Sequence, residues 1–583
     1  MQVNKPFAMT LHFFYAYRLK RCTQQLFSLT FCFMILNLQM GYSQSVKKSD
    51  AGKNFYIGID NSGDKYKQGD FFNSVAMDSL GVDFVVWHYG SSLGTTLDEV
   101  KKVTKLGQDF KKANLKVIVN VESGNWNLNI VDKDGRDWVK NPGYPHIFKF
   151  PNEVLKSLSQ SDAVWGIQYD ELEHCQITRN ISITLDHPDV EIPSLAETNG
   201  LDFKQADSAL LSSARQLVEE DKRYGLKYVL GEHVWPVLFH NFARAGITPV
   251  YKQMKENWSN VWAACALGAS LQYNRELWAC LDFWHGGSFP GHSAAELKSN
   301  LLFAYWLGVD KAYVEAVGKY TYEIDSLKHL QLKERGEVFR QFAKSYVPAN
   351  KRAYTFRDFE PEIAIIRFDD TEWGQGEDVY TQTKYSKSGS LKVNLYWKDF
   401  LFGAYNLRSS PASEEWIKAW STITHGRVNQ KSLSWNAANV YKDEPYRSFA
   451  PANAPVVFDQ TVTKALLKNI NLIFLCGLDI SKNTLNDVSM LVKQKGITVV
   501  TSSRFAPPEF AAKYTNGTIE YKDGNGKWII TDNMASDELK NLINPLLGKD
   551  DEITLRFKNN KKVIMKISSN GKELQITKND LAN

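Results

Sequence analysis

The chain has 583 residues, too many for one simple core at roughly 100–200 residues per domain. Hydrophobic residues make up 43% and charged residues 23%, with 36 Gly and 18 Pro, which excludes a disordered, collagen-like or low-complexity protein. The formal net charge is +5, but Lys5, Arg18, Lys20 and Arg21 all fall in a leading segment without Asp or Glu. The rest of the chain is close to neutral and has no general attraction for nucleic acid or an anionic membrane.

That leading segment reads as an address. Arg18, Lys20 and Arg21 precede the apolar run Leu26–Leu38, and the small residues Gly41 and Ser43 follow. Charged, apolar and small-residue regions in this order make a secretory signal, so 1–43 is expected to be removed. The run is ~13 residues, short of the ~20 that a spanning helix needs. The expected product is secreted or periplasmic, without membrane insertion after cleavage. It keeps Cys175, Cys265, Cys280 and Cys476 with no CxxC pair, so neither a disulfide framework nor a structural zinc site is expected.

From residue 54, apolar β-rich runs alternate with helical patterns. The spacing predicts strands over Asn54–Asn61, Val82–Tyr89, Leu115–Glu122 and Val164–Glu171, then Leu226–His233, Ile247–Gln253, Glu276–Trp284 and Val309–Glu315. Helical stretches lie between them, among them Asp98–Ala113, Phe203–Tyr224, Asn257–Gln272 and Ala294–Leu307. Eight such units over ~260 residues are the count and size of a (β/α)8 TIM barrel, placed at 54–352. A smaller α/β domain of flavodoxin-like or amidotransferase-like pattern is expected over 353–512, from the buried runs Glu362–Phe368, Ile470–Cys476 and Ile497–Thr501. A small antiparallel β segment is expected over 513–583, with turns at Asp523–Lys527 and Asn570–Lys572.

Most predicted strands end in groups able to do chemistry: Asp60, His88, Asn120, Asp170-Glu171, Glu232-His233, Asp282 and Glu315. A barrel of this type carries its site at those ends. Glycoside hydrolysis needs one carboxylic acid to protonate the leaving oxygen and one carboxylate to act as nucleophile or base. Adjacent residues of a strand point to opposite sides, so one of Asp170 and Glu171 faces the barrel mouth; Glu171 is taken first as the acid, Asp170 second. Glu232, Asp282 and Glu315 are the candidate partners. Sugar rings stack on indoles and need directional donors for their hydroxyls. Trp87, Trp126, Trp235 and Trp284 are candidate platforms, and His88, Asn120, His233, Lys252, His285 and His292 candidate donors.

Other motifs fail. There is no HExxH, no GxxxxGK[ST] and no complete GxGxxG, so no metal and no cofactor is expected. Cys476-Gly477 has no elbow around it and reads as a buried structural cysteine.

The whole layout resembles multidomain bacterial glycoside hydrolases, with the β-galactosidases that carry a trimerisation domain nearest in architecture. The segment NINLIFLCGLDIS…TLNDVSMLVKQKGITVVTSS looks like their accessory domain, and the fourth-strand Tyr169-Asp170-Glu171 resembles the acid/base position of many barrel glycosidases. The resemblance implies a hydrolase of poly- or oligosaccharides, a non-catalytic accessory domain and a possible homo-oligomer. The Asn-Glu dipeptide common on that strand is absent, and Asp282 stands where a seventh-strand Glu would be. The alternative expectation is a catalytically inactive barrel that binds carbohydrate or serves surface assembly.

Overall fold

Eight strands, β1 (Tyr56–Asp60), β2 (Phe84–Tyr89), β3 (Lys116–Val121), β4 (Val164–Tyr169), β5 (Tyr228–His233), β6 (Thr248–Lys252), β7 (Trp278–Asp282) and β8 (Lys311–Glu315), pair in parallel in chain order. β8 returns to β1, through pairs such as Gly58 with Tyr313, and closes a barrel. The computed structural model describes residues 54–60, 74–89, 96–121, 150–170, 172–173, 195–196, 201–233, 236–253, 259–282, 293–315, 321–324, 330–368, 415–428 and 448–581. The expected signal segment 1–43 lies outside them. Among the described residues, no helix is long and apolar enough to cross a membrane.

Helices α1 (Ser74–Leu80), α2 (Thr96–Lys112), α3 (Asn152–Ser159), α4 (Phe203–Arg223), α5 (Phe239–Ala245), α6 (Ser259–Tyr273) and α7 (Ala294–Leu307) come between the strands. Local chemistry starts two of them: Asp202 with Gln205 and Ser293 with Glu296 form reciprocal capping boxes. α4 buries one stripe, including Leu210, Ala214, Leu217 and Val218, and leaves its other face wet. α6 and α7 bury nearly all of their described side chains, with Ala295 and Lys298 of α7 left exposed.

The barrel floor is aromatic. The Phe84 ring fills the axis beside Gly58, where any Cβ would come within 2.6 Å of it. Below, the Lys311 ammonium lies 4.7 Å from the ring centres of Tyr228 and Trp278 and 2.6 Å from Glu276. Burial alone would push the Glu276 pKa up, but Lys311 and the donors Trp278 and Tyr228 outweigh it and the net shift is downward. A carboxylate with a depressed folded pKa adds stability above its unfolded value of ~4.3, and loses it as pH falls through the folded value. Lys311→Met should therefore cost ~2 kcal/mol at neutral pH, below the full value for breaking a buried pair because Glu276 retains some exposure. Urea unfolding of both proteins should show that gap at neutral pH and a smaller one near pH ~3; a gap that widens in acid would contradict the pairing.

A short hairpin, β9 (Tyr322–Ile324) with β10 (Leu330–Leu332), and α8 (Glu334–Gln341) lead out of the barrel. Arg352 still belongs to its base, donating to the carbonyls of Asn54, Tyr305 and Val309. The second domain then begins. Its strands β11 (Ile363–Arg367), β13 (Pro455–Asp459), β14 (Leu472–Cys476), β15 (Thr498–Thr501), β16 (Thr518–Asp523) and β17 (Gly526–Thr531) stand in the order β13-β11-β14-β15-β17-β16. The five parallel strands, counted along the chain, lie in the order 2-1-3-4-5 of flavodoxin-like sheets. Helices α9 (Glu415–Ile423) and α10 (Lys482–Lys495) belong to this unit. Its sheet reaches residue 531, past the expected boundary at 512, because β17 joins β15 in parallel and carries β16 with it.

The last sheet pairs β12 (Ala452–Asn453), β18 (Glu552–Phe557), β19 (Lys561–Ile567) and β20 (Leu574–Asn579), and α11 (Asp537–Leu547) precedes it. β18 and β19 are joined by the three residues Lys558, Asn559 and Asn560, and both asparagines take positive φ (61° and 58°), a conformation that Asn tolerates in hairpin loops. Among the described residues, the strands from β11 onward thus form two sheets, and β12 brings residues 452–453 into the second.

Candidate active site

Alternation along each strand puts one residue in two inside the barrel. Starting from the buried interior residues Val86, Ile118, Leu230, Val250 and Cys280, the next inward positions toward the C-terminal ends are His88, Asn120, Glu232, Lys252 and Asp282. Asp60, Gln168, Asp170 and Glu315 complete a ring to which every strand contributes, and its members are buried. On one side, His88 Nε2 lies 2.7 Å from Asp60 Oδ2 and 3.0 Å from Asn120 Nδ2.

The other half is acidic and centred on Lys252. Its ammonium lies 3.2 Å from Glu232, 3.2 Å from Glu315 and 3.6 Å from Asp282. Glu232 Oε2 also accepts from the Gln168 amide and from the Tyr313 hydroxyl at 3.0 Å, and Tyr313 lies 3.1 Å from Gln168 Oε1. One ammonium cannot neutralise three buried carboxylates, so a proton is retained among them. Burial pushes the Glu315 carboxyl well above its usual range, and Asp282 adds to the shift while Lys252 opposes it. The Cys280 thiol, 3.3 Å from Glu315, is pushed up by burial and by Glu232 and Glu315, and stays protonated. Glu232 thus accepts from Gln168 and Tyr313, while burial favours the neutral form of Glu315. Oxygens of the two lie within 4.8 Å of each other.

Glu232, Cys280 and Glu315 are also the set that could hold a cation among the described residues. The Lys252 ammonium already supplies positive charge at that place.

The structure sorts the residues singled out in the sequence. Asp60, His88, Asn120, Asp170, Glu232, Lys252, Asp282 and Glu315 come together in the ring. Trp87 and His233 face the other way. Trp87 packs edge-on against Phe110 of α2, and His233 stacks on Phe239 of α5 at 3.8 Å with Nδ1 3.2 Å from the Val237 carbonyl. Burial lowers the His233 pKa to about 3, which keeps the ring neutral beside Glu173. Each is next to a ring residue in sequence, and alternation sends it to the outer face. Glu171, Trp126, Trp235, Trp284, His285 and His292 lie outside the described residues. Asp170 shares the inner face with Gln168 and is buried at the ring. Gln168, Tyr313 and the bridging role of Lys252 are not read in the sequence; Gln168 and Tyr313 stand two residues before Asp170 and Glu315, and that spacing is the signal that could have found them.

In the second domain, Cys476 is buried with its sulfur 3.4 Å from Met534 Sδ, in keeping with a structural cysteine. The Glu415–Arg504 pair, 2.6 Å apart, joins the start of α9 to the segment after β15.

No family model matches the chain, and no curated protein matches it. Solved structures do. The exo-β-1,4-mannosidase Op5Man5 from Opitutaceae bacterium strain TAV5 is similar at 10% identity and a TM-score of 0.46, over 85% of this chain and 97% of that one. The apo exo-carrageenase GH42 from Bacteroides ovatus is similar at 10% identity and a TM-score of 0.38, over 88% and 72%. A putative α-L-fucosidase from Bacteroides thetaiotaomicron gives 9% identity and a TM-score of 0.25, over 50% and 95%. Likenesses this distant decide nothing about chemistry, which is argued from the ring.

Proposed function

We propose that the chain is a glycoside hydrolase acting on a poly- or oligosaccharide, with Glu232 and Glu315 as its working pair. The observation that carries this reading is the spacing and unequal environment of the two carboxyl groups. Oxygens within 4.8 Å suit the retaining geometry, where the groups stand ~5–5.5 Å apart, better than the ~6.5–9.5 Å that an inverting water needs. Glu315 gives its proton to the glycosidic oxygen as the carbon–oxygen bond breaks, and Glu232 bonds to the anomeric carbon. Water, its proton taken by the Glu315 carboxylate, then splits that ester and frees Glu232. His88 and Asn120 on the other side of the ring offer donors and acceptors for sugar hydroxyls.

The test is to incubate the purified chain lacking 1–43 with a panel of glycans and detect products by mass spectrometry. Shortened glycans are expected. Glycan binding without cleavage of any member would favour the inactive sugar-binding barrel. The sequence expectation that Glu171 supplies the proton enters the same assay, since Glu171→Gln should then be the crippling change and Glu315→Gln the mild one.

We propose too that 1–43 directs export and is removed. N-terminal sequencing of protein from its native host should begin near residue 44, and an intact leading segment would contradict this.

A further inference from the structure

The strand that carries Glu232 ends at His233, and the chain then has to turn into α5. Three features hold that turn. His233 Nδ1 lies 3.2 Å from the Val237 carbonyl and closes it from inside. Leu238, buried and not glycine, sits in the left-handed region at φ 61°, a conformation that costs ~1–3 kcal/mol and persists only where the surroundings enforce it. The third comes from outside the barrel. Arg367, the last residue of β11 in the flavodoxin-like domain, is fully buried and donates to the Pro236 carbonyl at 2.8 Å. Its guanidinium rests on Trp416 of α9, 4.4 Å from the ring centre, which fixes its direction. α5 is tied to the same domain by His240, whose Nε2 lies 3.0 Å from the Val457 carbonyl of β13.

We infer that Arg367 is a positioning residue for the turn after Glu232, and that the flavodoxin-like domain is thereby a working part of the catalytic unit. The turn cannot relax while Arg367 holds Pro236 on one side and His233 holds Val237 on the other. Releasing it lets Leu238 leave its strained conformation and frees the end of β5, and a displacement of ~1 Å at a reacting group costs up to ~10²-fold in rate. The kinetic half of this inference rests on the glycosidase reading; the structural half does not.

The test compares wild type with Arg367→Met, which keeps the stem and removes the donor, and Arg367→Lys, which keeps a charged donor. Hydrogen exchange needs no substrate. In Arg367→Met the amides of 237–244 are expected to exchange ~10-fold faster, with those of β14 (472–476) unchanged, as local opening requires. With a cleaved glycan in hand, kcat should fall ~10-fold or more while KM stays within ~2-fold, and Arg367→Lys should recover part of the loss. Should Arg367→Met fail to fold, Arg367→Lys alone decides by the ratio of exchange in the two segments. Unchanged exchange at 237–244, or equal acceleration in both segments, overturns the inference. Local acceleration with no hydrolysis in wild type keeps the inference and removes the glycosidase reading instead.

Discussion

Glu232→Gln should abolish turnover of the natural glycan and of an activated aryl glycoside alike, by ~10⁴-fold or more, because neither substrate can form the glycosyl ester without the carboxylate. Glu315→Gln should differ. Loss of a general acid costs ~10²–10⁴-fold where the leaving oxygen needs a proton, and far less for an aryl leaving group that departs without one. The two variants thus separate on substrate, not on size of effect alone. The pH profile separates them again. Burial and Asp282 hold Glu315 protonated above the usual carboxylate range, so wild-type kcat/KM should fall as pH rises through that raised value. The residual activity of Glu315→Gln on the natural glycan, whose leaving group needs the proton, should lack this limb. If it keeps the limb, another group gives the proton, and Glu171→Gln is the next variant to measure.

Gly268→Ala should be the most damaging small change outside the ring. α6 runs so close to β13 that a Cβ at this position would stand 1.6 Å from the Val457 carbonyl oxygen. Backbone cannot yield as a side chain does, so the helix must move off the sheet edge. Overpacking of this kind costs ~3 kcal/mol, and the shift would strain the bonds that Tyr273 and Gln272 make to Asp459 and the one from His240 to Val457. Urea unfolding should show the loss, and a change within ~0.5 kcal/mol would mean that the seam is looser than its geometry.

The barrel was legible because each strand is an apolar run that stops at a polar group, and the ring is made of those stops. Asp60, Glu232, Asp282 and Glu315 were visible for that reason. Their partnership was not, because Lys252 joins residues from strands far apart in sequence, and only the closed register brings them to one ammonium. His233 and Trp87 show the opposite case. Both are expected at the site from the sequence because each sits beside a ring residue, and the two-residue period of a strand instead sends them to the outer face. The same period puts Asp170 inward with Gln168. α6 and α7 lack the one-sided pattern of a surface helix, a sign of burial on both faces; in α6 the second face is the flavodoxin-like domain. The boundary expected at 512 rested on the hairpin signal of β16 and β17, which is real, but β17 pairs in parallel with β15, a long-range choice that turn chemistry does not encode.

The most direct measurement is the anomeric configuration of the first sugar released, followed by proton NMR before mutarotation. A pair of carboxyl oxygens within 4.8 Å predicts retention, with Glu232 carrying the sugar between two displacements. Inversion by an otherwise active enzyme would contradict the pairing of Glu232 with Glu315.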